Sequence, residues 1–457
     1  MRGRTLPSAP MDSPASATPA SPPPPPAPFL PQPGRVNSGK AGAEEPFVLA
    51  AMVSLQAATV WLNLRPNLLL QFFYSPETLA LTHLVTLGFA SAIILGVMQR
   101  LAPHTFGYPP PSRKAALWQC AFWLLGAAGM VFHFWLERWI GLLWAAFLVL
   151  AAILWQCVNH RGVFARALRR DAVDWGARWV ALSLVHFALA AALGCLFALA
   201  RVHGVGGALL TAPLLDRLAA HFHLASLGWI GGAIFGYQLR LLPGTRASGR
   251  VEALRFVLLQ GGLLALAGVL MAGAGEAARW CALPIAAAIA LRSVPVLLSF
   301  GVNRPGRIEI AAHGLLLLLA AGGLALTFGH PAEDDERRLA CELAYAYVAL
   351  FGWILLTVLG TSWKLFSVWV WQERYAADLG RRPVPAVAAL PSAPLRHVAA
   401  VALAVGVLGV AVAIVVGHAP LLRIALGVQL LGTLAFLGHF LSMARHELFG
   451  GRFTAPR

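Results

Sequence analysis

Charged residues are scarce in this chain of 457 residues. Asp, Glu, Lys and Arg make up 12% of the sequence, whereas hydrophobic residues make up 58%. Because about a quarter of the residues of a soluble domain are charged, this composition excludes a soluble protein. Cysteine is scarce as well, and none of the five cysteines belongs to a C-x-x-C pair. The sequence therefore shows no sign of a disulfide framework or a cysteine-based zinc site.

Acidic residues are the rarest charged class within the apolar part of the chain. All 19 can be placed in the terminal segments, in loops or near the ends of apolar stretches, and Glu342 comes nearest to the middle of one. Proton pumps and ion-coupled carriers usually keep a carboxylate within the membrane. This distribution lowers the expectation of ion-coupled transport and of proton pumping.

Long apolar runs are what the sequence has in place of charge. Twelve of them have about the length, roughly 20 residues, that a helix needs to cross a lipid bilayer. They predict an all-α polytopic membrane protein whose transmembrane domain covers residues 46–445. The predicted spans are 46–64, 78–102, 114–134, 139–158, 176–200, 218–242, 251–273, 279–299, 308–328, 338–371, 396–417 and 420–444.

The two ends of the chain differ from this domain. Residues 1–45 are rich in Pro, Ala and Ser and contain five consecutive prolines at 22–26. Such a segment cannot bury a core, so we expect a disordered tail, and it has no apolar region typical of a signal peptide. Residues 446–457 are expected to form a second, short tail.

Positive charge is in excess, with 35 Lys and Arg against 19 Asp and Glu. About three quarters of the Lys and Arg fall in the tails and in the loops on one side of the predicted membrane domain, which the positive-inside rule assigns to the cytoplasm. Both termini are therefore expected in the cytoplasm, with the spans in a bacterial inner membrane. The charge is explained by topology, so we expect no nucleic-acid partner.

One pattern occurs three times, and internal repeats determine architecture. The frame (H/Y)-x4-G-(F/W)-x6-G-x3-(R/K) begins at His83, His223 and Tyr347. These three copies lie in the second, sixth and tenth predicted spans, four spans apart. Twelve spans in three groups of four predict a bundle with pseudo-threefold symmetry.

Small residues form a stripe along the repeat helix. Gly228, Gly232 and Gly236 are spaced by four, and residues four apart on a helix differ by only about 40° in direction. A stripe without side chains lets another helix, or a flat cofactor, approach the backbone closely. The sequence leaves both interpretations open.

Histidines distinguish two of the three copies. A histidine inside a membrane is a functional candidate, and neutral imidazole is a common axial ligand of haem iron. His221 and His223 lie about 200° apart around one helix, so they cannot share a ligand. We predict His83, His223 and His221 as cofactor-binding residues, with His83 and His223 as ligands of haem iron.

The twelve spans and the H-x-H-x4-G-W helix resemble the catalytic subunit of haem-copper oxidases, and in particular the branch of cbb3-type cytochrome oxidase and nitric oxide reductase. The span pattern covers about residues 46–445, and the specific motif covers only the three repeat helices. This resemblance implies a pseudo-threefold bundle. It also implies that His83 matches the helix-2 ligand of a low-spin haem.

The chain departs from that family where the family performs catalysis. The family's tenth helix carries one histidine for each haem, whereas this chain has Tyr345 and Tyr347 there. Tyrosine can bind ferric haem, but near a helix start it is more typical of the membrane interface. Copper ligands come from the sixth and seventh helices in the family, and the seventh span here has no histidine. We therefore expect no copper and no reduction of oxygen or nitric oxide.

The resulting hypothesis is a degenerate oxidase relative that binds one or two haem b groups for electron transfer or gas sensing. A respiratory or redox protein would be its partner. Two alternatives use the same scaffold: a haem-free protein for partner binding or assembly, and a transporter. No C-x-x-C-H motif for covalent haem attachment is present.

Overall fold

The computed structural model describes residues 42–205, 210–242, 247–299, 306–329 and 335–449. Within these ranges the regular secondary structure is entirely helical. Twelve helices there are long and apolar enough to cross a membrane, which confirms the all-α fold and the twelve predicted spans. Their bounds are α1 (Glu45–Leu64), α2 (Pro76–Phe106), α3 (Arg113–Trp135), α4 (Trp139–Asn159), α5 (Trp175–His203), α6 (Leu214–Leu241), α7 (Gly249–Met271), α8 (Gly275–Leu297), α9 (Arg307–Phe328), α10 (Glu336–Arg374), α11 (Ala393–Val416) and α12 (Ala419–His446).

The two predicted tails fall largely outside the described residues. Of the segment 1–45 only the last four residues are described, and Glu45 already begins α1. The helix of α12 continues beyond the expected end of the membrane domain to Phe449. Disorder at either end therefore remains a prediction.

Local sequence signals account for several helix ends. Pro76 begins α2, and the hydroxyl of Ser75 accepts a hydrogen bond from the backbone N–H of Thr78 at 3.2 Å. This is the N-cap geometry that satisfies one of the free N–H groups at a helix start. Gly107 ends α2 with a φ of 70°, a left-handed conformation that glycine adopts without strain.

The three repeat helices form the centre of the bundle. In α2, α6 and α10, 72%, 61% and 78% of the residues of the apolar stretch are buried, compared with at most 44% in the other nine helices. The three also contact one another directly. Each of the three surrounding groups of helices therefore packs around one copy of the repeat.

Each repeat helix contains a π-helical segment in the same position. The segments are Leu84–Ser91, Leu224–Gly231 and Val348–Ile354, and each begins directly after the first residue of its frame. Residues of these π-helical segments make the contacts of α2, α6 and α10 with one another. The repeat therefore extends from sequence to backbone geometry, and π-helical turns occur frequently at functional sites.

The outer helices repeat one order of neighbours three times. In each group of four consecutive helices, the first and third pack against the repeat helix, and the third and fourth form a hairpin. The fourth helix then packs against the first helix of the next group, and the contact between α12 and α1 closes the ring.

The stripe of small residues is covered by a helix. A Cβ atom at Gly236 would lie 2.6 Å from Cγ2 of Val180 and 2.9 Å from the carbonyl oxygen of Gly176 on α5. Gly88 and Gly360 are covered in the same way by the first helices of their groups, α1 and α9. Of the two interpretations, close helix packing is the one that the structure supports at these positions.

We expect Gly236→Ala to lower the free energy of unfolding by about 1–3 kcal/mol, because the added methyl group would overpack the contact with α5. Gly268 on α7 is the matched control, since it is exposed and a Cβ there would meet no atom within 4 Å. Thermal unfolding in detergent measures both variants. Equal midpoints for the two would show that the stripe is not closely packed.

Candidate functional site

His83 and His223 have the same local geometry at the start of their π-helical segments. Nδ1 of His83 donates a hydrogen bond to the carbonyl of Leu79 at 2.7 Å, and Nδ1 of His223 donates to the carbonyl of Ala219 at 2.8 Å. The carbonyl can only accept, so the proton of the neutral ring is on Nδ1. Nε2 of each ring is then free to bind a ligand, as in most metal-binding histidines.

His83 and His221 lie at the interface between α2 and α6, whose π-helical segments contact each other. These segments begin one residue after His83 and three residues after His221, and the two imidazoles would repel each other if both were protonated. His83 stacks on Phe134 of α3 with the ring centroids 4.9 Å apart, and His221 lies 5.9 Å from the ring of Phe197 on α5. The backbone of Ala190 on α5 lies within hydrogen-bonding reach of the His221 ring.

His223 faces α10 on the other side of α6. Its ring centroid lies 6.4 Å from that of Tyr345, with 33° between the ring planes. Within the described residues, no hydrogen bond is formed by the Tyr345 hydroxyl or by Nε2 of His223. The two histidines of α6 therefore belong to two different interfaces, as their angular separation requires.

Tyr347 lies between the central helix α10 and the outer helix α12. Its hydroxyl donates to Oε1 of Gln429, and the side chain is only 4% exposed. This tyrosine is thus packed inside the bundle, and the helix α10 continues beyond it toward its N-terminus.

An ion pair at the end of each repeat helix was missed by the sequence analysis. The last residue of each frame binds a carboxylate at the start of the first helix of its own group. The pairs are Arg100–Glu44, Arg240–Asp174 and Lys364–Glu309. We call this side of the bundle the cation end. A signal was present in the sequence, since an acidic residue lies at the start of the first, fifth and ninth spans.

A buried charge cluster connects α7 and α8 to the centre. Glu252 accepts hydrogen bonds from Arg255 at 3.0 Å, Arg292 at 3.3 Å and Nε1 of Trp179 at 2.8 Å. Arg292 also donates to the carbonyl of Phe235 at 2.7 Å. The charged side chains are at most 4% exposed. These bonds compensate the cost of burying the carboxylate and hold α8 against α6.

Large side chains fill the centre of the bundle at the depth of the π-helical segments. Nε1 of Trp229 donates to the hydroxyl of Ser91 at 2.9 Å, and the ring stacks on Phe187 with centroids 4.2 Å apart. Trp353 lies 5.9 Å from Phe235. This packing argues against a solute path along the central axis.

We expect Asp174→Ala to lower the free energy of unfolding by about 2–3 kcal/mol, because it removes both the N-cap of α5 and the partner of Arg240. Asp174 is 3% exposed and accepts from Arg240 at 2.5 Å and from the backbone N–H of Ala177 at 3.1 Å. Asp171 is the control, since its ion pair with Arg169 is exposed. Thermal unfolding should leave the midpoint of Asp171→Ala unchanged, and an equal loss in both variants would contradict the role of the cation end.

Two comparisons with known proteins identify no homologue of this chain. No protein-family model matches the chain, and a search of curated proteins returns no match. Over the described residues, no group of three or more His, Cys, Asp or Glu is arranged to hold a metal ion. The candidate site is thus defined by paired side chains at the interfaces of α6, with His83 and His221 on one side and His223 and Tyr345 on the other.

Proposed function

We propose that this chain has the pseudo-threefold arrangement of the haem-copper oxidase catalytic subunit and holds haem b between His83 and His221. The observations that carry the proposal are the contact between the π-helical segments of α2 and α6 beside these two histidines and the electrostatic interaction between the two imidazoles. The sequence predicted His83 and His223 as ligands of haem iron and left the partner of His83 open. His223 faces Tyr345, so His221 replaces it as the second ligand in the proposal.

The order of helix contacts supports the proposed arrangement. Three groups of four helices have matching neighbours, and the three repeat helices meet at the centre. The positive-inside rule then favours a cytoplasmic location for the cation end and for both termini, in the inner membrane of a bacterium.

The chemistry of the paired residues fits haem. Haem iron accepts neutral histidine nitrogens as axial ligands, and the hydrogen bond from Nδ1 of His83 to Leu79 fixes the orientation of that ring. Phe134 and Phe197 add apolar surface beside the two rings.

Two axial histidines favour electron transfer among the activities considered. Haem b bound there would supply a one-electron couple. His83 and His221 would both hold the haem, which favours electron transfer over the binding of a diatomic gas. A respiratory or redox protein is then the expected partner. Since α7 contains no histidine, we do not propose a copper site or the reduction of oxygen.

A reduced-minus-oxidised visible spectrum of the detergent-purified protein tests this proposal. We expect sharp haem b bands in the unchanged protein, because two strong-field imidazoles give a low-spin haem. The bands should be lost or shifted in His83→Ala and in His221→Ala. They should persist in His223→Ala, which is the matched control two residues away on the same helix.

Two results would overturn the assignment. Loss of the bands in His223→Ala with retention in His221→Ala would show that the second ligand is wrong. A featureless spectrum from folded protein after haem supplementation would remove haem from the proposal. That second result would favour the haem-free protein for partner binding or assembly.

A further inference from the structure

An arginine stacked on a tryptophan distinguishes the third group of helices at the cation end. Cζ of Arg396, in the first turn of α11, lies 4.5 Å from the ring centroid of Trp363 on α10. Both side chains are half-buried. A guanidinium held over an indole ring has a fixed orientation, so its outward N–H groups form a preformed set of donors.

Trp363 holds a position that is buried in the other two groups. It directly precedes the last residue of its frame, where the other two copies have Gln99 and Leu239. Those two residues are 5% and 8% exposed. The third group therefore leaves accessible a position that its two counterparts enclose.

Arg396 also differs from its counterparts in charge. It lies four residues after the N-cap serine of the third helix of its group, and the same position holds Ala116 in the first group and Glu252 in the second. Among the described residues Arg396 forms no ion pair, and the nearby carboxylate of Glu309 is bound by Lys364. Arg396 thus leaves an uncompensated positive charge at this corner of the bundle.

The surface next to Arg396 on α11 is apolar. Val398, Val401 and Val405 are at least 44% exposed. Their spacing places them along one side of the helix over about 10 Å. Arginine and tryptophan near the end of a spanning helix lie at the level of the lipid headgroups. The corner thus presents a cation at headgroup depth above a strip that faces the acyl chains.

We propose that Arg396 and Trp363 bind the headgroup of an anionic phospholipid whose acyl chain lies along the exposed valines of α11. The guanidinium donates to the phosphate oxygens, as arginine does in charge-assisted pairs. An anionic lipid such as phosphatidylglycerol compensates the charge of Arg396. Phosphatidylcholine carries its own cation and cannot compensate it to the same extent.

Native mass spectrometry of the full chain in detergent tests the proposal. The protein is titrated with phosphatidylglycerol and, separately, with phosphatidylcholine of the same acyl chains, and the Kd of the first bound lipid is measured. We expect phosphatidylglycerol to bind about fivefold more tightly, which corresponds to the about 1 kcal/mol that one basic residue contributes at an anionic surface.

Three variants make the test specific. Arg396→Gln should remove the difference between the two lipids, whereas Arg396→Lys should retain most of it because the charge is kept. Arg381→Gln is the matched control, since Arg381 has the same charge and is exposed in the loop between α10 and α11. It should leave the fivefold difference unchanged.

Unfolding midpoints first establish that each variant is folded. An unchanged preference for phosphatidylglycerol in Arg396→Gln would overturn the proposal. An equal loss in Arg381→Gln would also overturn it, since the preference would then reflect the net charge of the surface. Glycerol 3-phosphate, which has the phosphate and no acyl chain, should not displace the lipid at equal concentration. Displacement would show that the site binds a soluble phosphate instead.

Discussion

The contact between each repeat helix and the first helix of its group is the constraint on which the rest of the bundle depends. An ion pair joins the two helices at the cation end, and small residues let their backbones approach, as at Gly236 and Gly176. In lipid, apolar helix surfaces gain little from burial against each other, so close packing and polar contacts determine which helices associate. Because this contact is made three times, α2, α6 and α10 are held together at the centre.

Side chains at matching positions give the repeat helices different chemistry. The interface of α2 and α6 has two histidines, His83 and His221, and the interface of α6 and α10 pairs His223 with Tyr345. Tyr347 is instead hydrogen-bonded to Gln429 of the outer helix α12. The helix α6 contributes to the first two interfaces because its histidines point in opposite directions.

Much of the fold could be predicted because it depends on local properties. The length and apolarity of each span, and the start of α2 after Ser75, are properties of consecutive residues. The pairs of residues that meet at the candidate site were harder to predict from the sequence. His83 and His223 were predicted as haem ligands because they hold the same position in the frame, but helices arranged around a centre face their neighbours with different sides. The proposed partner of His83, His221, consequently lies just outside the next frame, two residues before His223.

By itself, the sequence determined the helical class, the number of spans, the threefold repetition and the divergence of His221 from His223. Only the tertiary structure decided which side chains meet. It brought His221 and His83 to one interface, joined Arg240 to Asp174 across 66 residues and placed Tyr345 opposite His223. The physical reason is that the rotation and depth of each helix are set by packing against several neighbours at once. No pattern within a single span contains that information.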